Sequence, residues 1–197
     1  MFFDVGGVLG TNGWDHQQRA AAAEAFGLDA ADLHQRHDET VAAWETGGIS
    51  LDDYLDRTVF YRARTFTRDE FRAFMLNQSV AFPETIAVAR DLAKTGCYRM
   101  MTINNESAEL NAHRLRAFGL REIFVTFFTS CWVGFLKPAP QIYERALEMS
   151  QAEPSAAVFI DDRQHNLEPA RRLGMQTILY QDAPRLRRDL TALAVAI

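Results

Sequence analysis

Four polar clusters, each set at or just beyond the end of a short apolar run, constrain this chain more than any other feature. Met1-Phe2-Phe3 breaks into Asp4-Val5-Gly6-Gly7, Tyr98 to Ile103 runs into Asn104-Asn105-Glu106-Ser107, Phe135-Leu136 precedes Lys137-Pro138-Ala139-Pro140, and Ala156 to Ile160 leads into Asp161-Asp162-Arg163. From Tyr98 onward strand-like runs at Tyr98–Ile103, Phe124–Thr129, Ala156–Ile160 and Thr177–Tyr180 alternate with helical stretches. That succession predicts a Rossmann-like α/β core, a parallel sheet with helices on both faces. In such a sheet the carboxyl ends of the strands emerge on one edge, so clusters distant in sequence converge on one crevice.

The first strand is unusually short, with three residues before Asp4. From the glycine turn to about Ala81 the pattern is helical, interrupted at Gly27-Leu28-Asp29, Gly47-Gly48-Ile49-Ser50 and Phe66-Thr67. Thr67-Arg68-Asp69-Glu70 has capping-box spacing, and Leu51, Tyr54, Leu55 and Val59 recur at helical period. A small helical bundle is therefore inserted after the first strand, and a further helix follows Pro83.

With 197 residues, 48% of them hydrophobic, the chain has enough apolar content for one buried sheet plus that insert. A net charge of −5 with both signs interspersed argues against a nucleic-acid surface or a basic membrane-targeting patch, and no run approaches the length of a membrane span. There is no charged leader before Asp4, and Cys97 and Cys131 form neither a disulfide framework nor a zinc set. A cytoplasmic protein, monomeric or homodimeric, is expected, with both cysteines and Trp14, Trp44 and Trp132 as packing residues.

A carboxylate where a buried strand breaks into a glycine turn is placed to attack a phosphorus held against backbone N–H groups; its other role is to hydrogen-bond its own turn. Given Lys-Pro-x-Pro and Ile-Asp-Asp in that order after the first Asp, the chain resembles the haloacid dehalogenase-like (HAD) hydrolase superfamily from Asp4 to Tyr180. It is most similar to subfamily I, in the glucose-1-phosphatase-like and epoxide hydrolase phosphatase branches. The resemblance implies a core of residues 1–12 and 82–197, a helical cap of residues 13–81 over the crevice, and a phosphatase acting on a small phosphorylated metabolite such as a sugar phosphate. Asp4 would be the nucleophile, Lys137 the charge that neutralises the phosphoryl group, and Asn104 the residue of the second motif, with Thr102 as an alternative alignment. Gly6, Gly7, Asn104, Asn105 and Lys137 would contact phosphate. Mg2+ would be held by Asp4, the carbonyl of Gly6 and Asp162, with Asp161 acting through a water and Asn166 bracing the carboxylates, since Mg2+ takes a few carboxylates plus phosphate and waters.

The sequence departs from the family pattern in three places. The general-acid Asp expected two residues after the nucleophile is Gly6, Asn104 replaces Ser or Thr, and Ala139 replaces an Asp. Loss of a general acid typically costs ~10^2- to 10^4-fold in rate, so turnover is expected to depend steeply on the leaving group unless another donor, such as His165 or a water chain, serves. Two other readings stay open: a HAD-like protein without catalysis that binds a phosphometabolite or partner, and a haloacid dehalogenase. Against the latter stands the acidic pair Asp161-Asp162. Substrate choice would lie with the cap, where His34, Arg36, Trp44, Glu45 and Asn77 are candidates.

Overall fold

The computed structural model describes residues 1–196. Its elements, in chain order, are β1 (Phe2–Phe3), α1 (His16–Phe26), α2 (Ala30–Glu45), α3 (Leu51–Thr58), α4 (Arg68–Asn77), α5 (Pro83–Lys94), β2 (Met101–Asn104), α6 (Ala108–Ala117), β3 (Thr126–Thr129), α7 (Ser130–Val133), α8 (Pro140–Ser150), β4 (Val158–Asp161), α9 (Gln164–Arg172), β5 (Gln176–Leu179) and α10 (Ala183–Ala192). The five strands form one parallel sheet in the order β3-β2-β1-β4-β5. β1 lies at its centre, so a strand of two residues suffices: both neighbours pair with Phe2 and Phe3, and the Asp4 N–H still donates to the Ile160 carbonyl at 2.8 Å.

Side chains alternate across the sheet as the pleat requires. Phe3 and Ile160 enter one core with Ile86, Val88 and Leu92 of α5 and Leu186 and Leu190 of α10. Phe2, Met101, Ile103 and Phe159 enter the opposite core against α8 and α9. β2 begins at Met101 rather than at Tyr98, because pairing with β1 starts where the Met101 N–H meets the Met1 carbonyl.

The helical insert has its own core, in which Trp14, Trp44, Tyr54, Phe71 and Met75 pack together with Leu110 of α6. Its helices are capped as their sequences dictate. Thr67 and Glu70 form the capping box of α4, Ser50 and Asp53 form another on α3, and Asp29 caps α2. Gly27 ends α1 in the left-handed region, at φ 59°. Both ends of the insert are fastened to one spot on the core: Thr11 N–H donates to the Val80 carbonyl at 2.8 Å, and Phe82 N–H to the Leu9 carbonyl at 2.9 Å.

Two packing expectations are corrected. Trp132 is 55% exposed, since the four-residue α7 turns it outward, while Trp14 and Trp44 are buried. Cys97 is exposed in the turn before β2 and Cys131 is half-buried, so the thiols do not act as core residues. No helix among the described residues is long and apolar enough to cross a membrane.

Candidate active site

The carboxyl edge of the sheet brings Asp4, Asp161 and Asp162 together, with one oxygen of each within 4.8 Å of the others. Lys137, buried in the loop before α8, places its Nζ 2.8 Å from Asp4 Oδ1 and 2.7 Å from Asp161 Oδ2. Asp4, which lines the crevice, also accepts from the Val5 N–H at 2.7 Å through Oδ1, which leaves Oδ2 without a hydrogen bond among the described residues. Asp161 is fully engaged: besides Lys137, it accepts from the Arg163 N–H at 2.8 Å and from Asn166 Nδ2 at 3.0 and 3.1 Å. Asp162 Oδ1, in contrast, is buried without a hydrogen-bond partner among the described residues.

Three carboxylates face one ammonium, an excess of two negative charges in a poorly hydrated place. Burial pushes the Asp4 carboxyl up to about 7; Lys137 pulls it down, and Asp161 and Asp162 add to the rise. Asp162 is also raised, by burial and then by Asp161. Burial lifts Asp161 too, but Lys137 and its hydrogen bonds outweigh that and hold it below the usual carboxylate range. A divalent cation with oxygen preference fits this set, because like charges this close resist ionising together without one. The unpartnered Asp162 oxygen is the observation that supports the fit. Gly7 has φ 77°, and a Cβ there would collide with the Asp162 carboxylate, so glycine is what lets the turn lie against it.

The two asparagines of the second cluster point in different directions. Asn105 braces Lys137, its Oδ1 accepting from the Lys137 N–H at 2.7 Å and its Nδ2 donating to the Lys137 carbonyl at 2.9 Å. Asn104 is buried among Thr102, Asn111 and Thr129, with side-chain contacts of 3.2 to 3.4 Å, and is absent from the crevice wall. Gly6 and Asn166 do line the crevice; His165 is exposed outside it.

The crevice, about 300 Å³ in volume, lies between this edge and the helical insert. Of the five insert residues named for substrate choice, Glu45 alone lines it among the described residues. Arg36 instead pairs with Asp32 and covers the Tyr61 ring, Trp44 stacks on Tyr54 at 4.0 Å, and Asn77 is exposed. The sequence reading missed Arg19, His37, Glu106 and Arg114. Arg19 Nη1 donates to the Trp14 carbonyl at 2.6 Å and to His37 Nε2 at 3.0 Å, and its Nε donates to His34 Nδ1 at 3.2 Å. Since a guanidinium only donates, His37 carries its proton on Nδ1, which lies 2.9 Å from the Tyr54 hydroxyl. Burial and Arg19 push His37 down to about 3. Opposite, Arg114 of α6 sits 3.2 Å from Glu106 in a fully buried pair. One sequence signal marked Arg114: it lies four residues after Leu110, on the buried face of α6.

A family model described as haloacid dehalogenase-like hydrolase matches residues 1–174. The bifunctional epoxide hydrolase 2 of Sus scrofa is 29% identical over 95% of this chain, and that of Rattus norvegicus 36% over 61%. The chain spans 37% and 22% of those proteins' lengths. Among solved structures, a HAD family enzyme from Bacteroides thetaiotaomicron superposes with a TM-score of 0.82 at 18% identity, covering 95% of this chain and 97% of its own. The same enzyme in complex with magnesium and inorganic phosphate gives a TM-score of 0.79 at 19% identity, covering 94% and 96%.

Proposed function

The chain belongs to the haloacid dehalogenase-like hydrolase family, and on that premise we propose that it is a Mg2+-dependent phosphatase hydrolysing a small phosphate monoester through a phospho-Asp4 intermediate. The observation that carries the reading is Lys137 Nζ held between Asp4 and Asp161 at the floor of a polar crevice. Asp4 Oδ2 attacks phosphorus while Lys137 holds the other carboxylate oxygen and neutralises the phosphoryl group, the two demands of in-line phosphoryl transfer that side chains meet. Asn105 fixes the backbone of Lys137, and Asn166 fixes Asp161.

Asp4, Asp162 and the Gly6 carbonyl would hold Mg2+, and the saturated Asp161 would reach it through water. When bound, the ion neutralises phosphoryl oxygens and the excess carboxylate charge. An acidic trio without a cation would repel a haloacid's carboxylate, which disfavours dehalogenation. Residues 13–81 serve as the cap over a core of residues 1–12 and 82–197. Arg19, Asp38 and Glu45 line that face with donors and acceptors suited to the hydroxyls of a sugar or polyol phosphate; homologues include a D-ribitol-5-phosphate phosphatase of Bacteroides thetaiotaomicron, 30% identical over 34% of this chain.

The test is phosphate release from a panel of phosphate monoesters with Mg2+ or EDTA. Turnover that requires Mg2+ and disappears in Asp4→Asn, together with beryllofluoride trapping that requires Asp4, is expected. An Asp4→Asn variant with near wild-type turnover overturns the covalent route.

A further inference from the structure

Resting on the phosphatase reading, we propose that Glu45, at the last turn of α2, is the proton donor and acceptor that replaces the missing acid at position 6. A single hydroxyl puts it in place. Ser130 Oγ donates to the Glu45 carbonyl at 2.6 Å and accepts from the Glu106 N–H at 2.9 Å, so the insert and the turn after β2 are joined at one point. Glu45 and Glu106 thereby stand side by side on the wall of the crevice whose floor is Asp4 and Lys137.

Position 6 opens toward the same wall: a Cβ on Gly6 would lie 3.2 Å from Asn12 Oδ1 and 3.6 Å from Arg114 Nη1, the nitrogen that stands 3.2 Å from Glu106 Oε2. The two glutamates are not equivalent. Glu106 faces the Arg114 guanidinium, whereas the Glu45 side chain, on a residue that lines the crevice, makes no hydrogen bond among the described residues. Burial and the neighbouring Glu106 push Glu45 up to about 8, with Arg163, Lys137 and Arg19 pulling the other way. A carboxylic acid still protonated near neutral pH is what a basic leaving group needs.

In the first step Asp4 Oδ2 bonds to phosphorus, the phosphorus–ester oxygen bond breaks, and the Glu45 proton passes to the departing alkoxide, giving an alcohol, phospho-Asp4 and Glu45 carboxylate. In the second, that carboxylate takes a proton from water as the water oxygen bonds to phosphorus and the phosphorus–Asp4 bond breaks. Phosphate leaves, and Glu45 is protonated again. With this donor the wild-type rate depends weakly on the leaving group, the reverse of what Gly6 alone predicts.

Glu45→Gln keeps the shape and removes the proton. Rapid-mixing kinetics with Mg2+ compare 4-nitrophenyl phosphate with a primary alkyl phosphate of the panel. In Glu45→Gln the aryl ester is expected to give a stoichiometric burst of nitrophenolate followed by slow turnover, and the alkyl ester no burst, with steady-state rates down ~10^2-fold or more. Adding Gly6→Asp to Glu45→Gln should restore alkyl-ester turnover. The Gly6 backbone accepts a side chain, with Asn12 Oδ1 giving way from 3.2 Å. A Glu45→Gln enzyme that slows both bursts equally, or matches wild type on both esters, overturns the donor while leaving the phosphatase reading intact. A wild type that releases phosphate from no ester overturns both.

Discussion

Replacing Lys137 with methionine removes the one positive charge that, among the described residues, contacts both buried carboxylates, Asp4 and Asp161. Their oxygens lie within 4.8 Å, and at an effective dielectric constant of about 20 two unit charges at that separation repel by about 3.5 kcal/mol, the upper limit of the penalty because Asp4, raised to about 7 even beside Lys137, takes up a proton instead where it can. That agrees with the roughly 3–5 kcal/mol typical of breaking a buried ion pair from one side, and corresponds to a fall in Tm of roughly 6–20 °C for a chain of this size. The loss has a definite pH dependence. In the wild type Lys137 and the hydrogen bonds from the Arg163 N–H and Asn166 together outweigh burial and hold Asp161 below its unfolded value, so Asp161 contributes stability above about pH 4 that is lost as pH falls further, while Asp4, raised to about 7, already costs stability as pH rises. In Lys137→Met both carboxylates titrate above their unfolded values, so the variant is least penalised below about pH 4 and loses stability as pH rises. The gap between the two proteins is therefore widest near neutrality and closes on acidification. Urea unfolding in EDTA from pH 4 to pH 8 measures it, and Lys137→Met/Asp161→Asn should recover part of the loss. A gap under 1 kcal/mol at pH 7, or one that does not change with pH, refutes this electrostatic account.

Asp162→Asn is expected to abolish Mg2+ binding in calorimetric titration, while Asp161→Asn weakens it less; equal effects contradict the assignment of Asp162 as the direct ligand. Gly7→Ala should destabilise the fold by about 1–3 kcal/mol, the usual range for a non-glycine residue forced to positive φ, and should also weaken Mg2+ binding, because its Cβ displaces the Asp162 carboxylate. Wild-type stability in urea with normal Mg2+ titration would contradict the observed turn.

What was legible from sequence was whatever has a local signature. Asp4, Asp161 and Asn104 stand at strand ends because apolar runs stop there, and Thr67 and Glu70 announce a helix start through their spacing. Convergence of Asp4, Lys137 and the acidic pair followed from parallel topology alone. Arg19 was not legible, since its helix is mostly alanine and polar residues with little amphipathic contrast, and its importance comes from His34 and His37 on the next helix. Nor could sequence separate the tasks of Asn104 and Asn105. Adjacent residues at a strand end face opposite sides, so one enters the sheet's interior network and the other clasps the Lys137 backbone.

The row from Arg19 through His37 and Tyr54 to Trp14 has a polarity that is set from both ends. Arg19 and the indole N–H can only donate, so His37 Nε2 and the tyrosine oxygen are obliged to accept, and the imidazole has no vacant site for a second proton. The insert wall of the crevice therefore presents the same donors in mildly acidic and neutral water. His37 adds no change of charge of its own over that range.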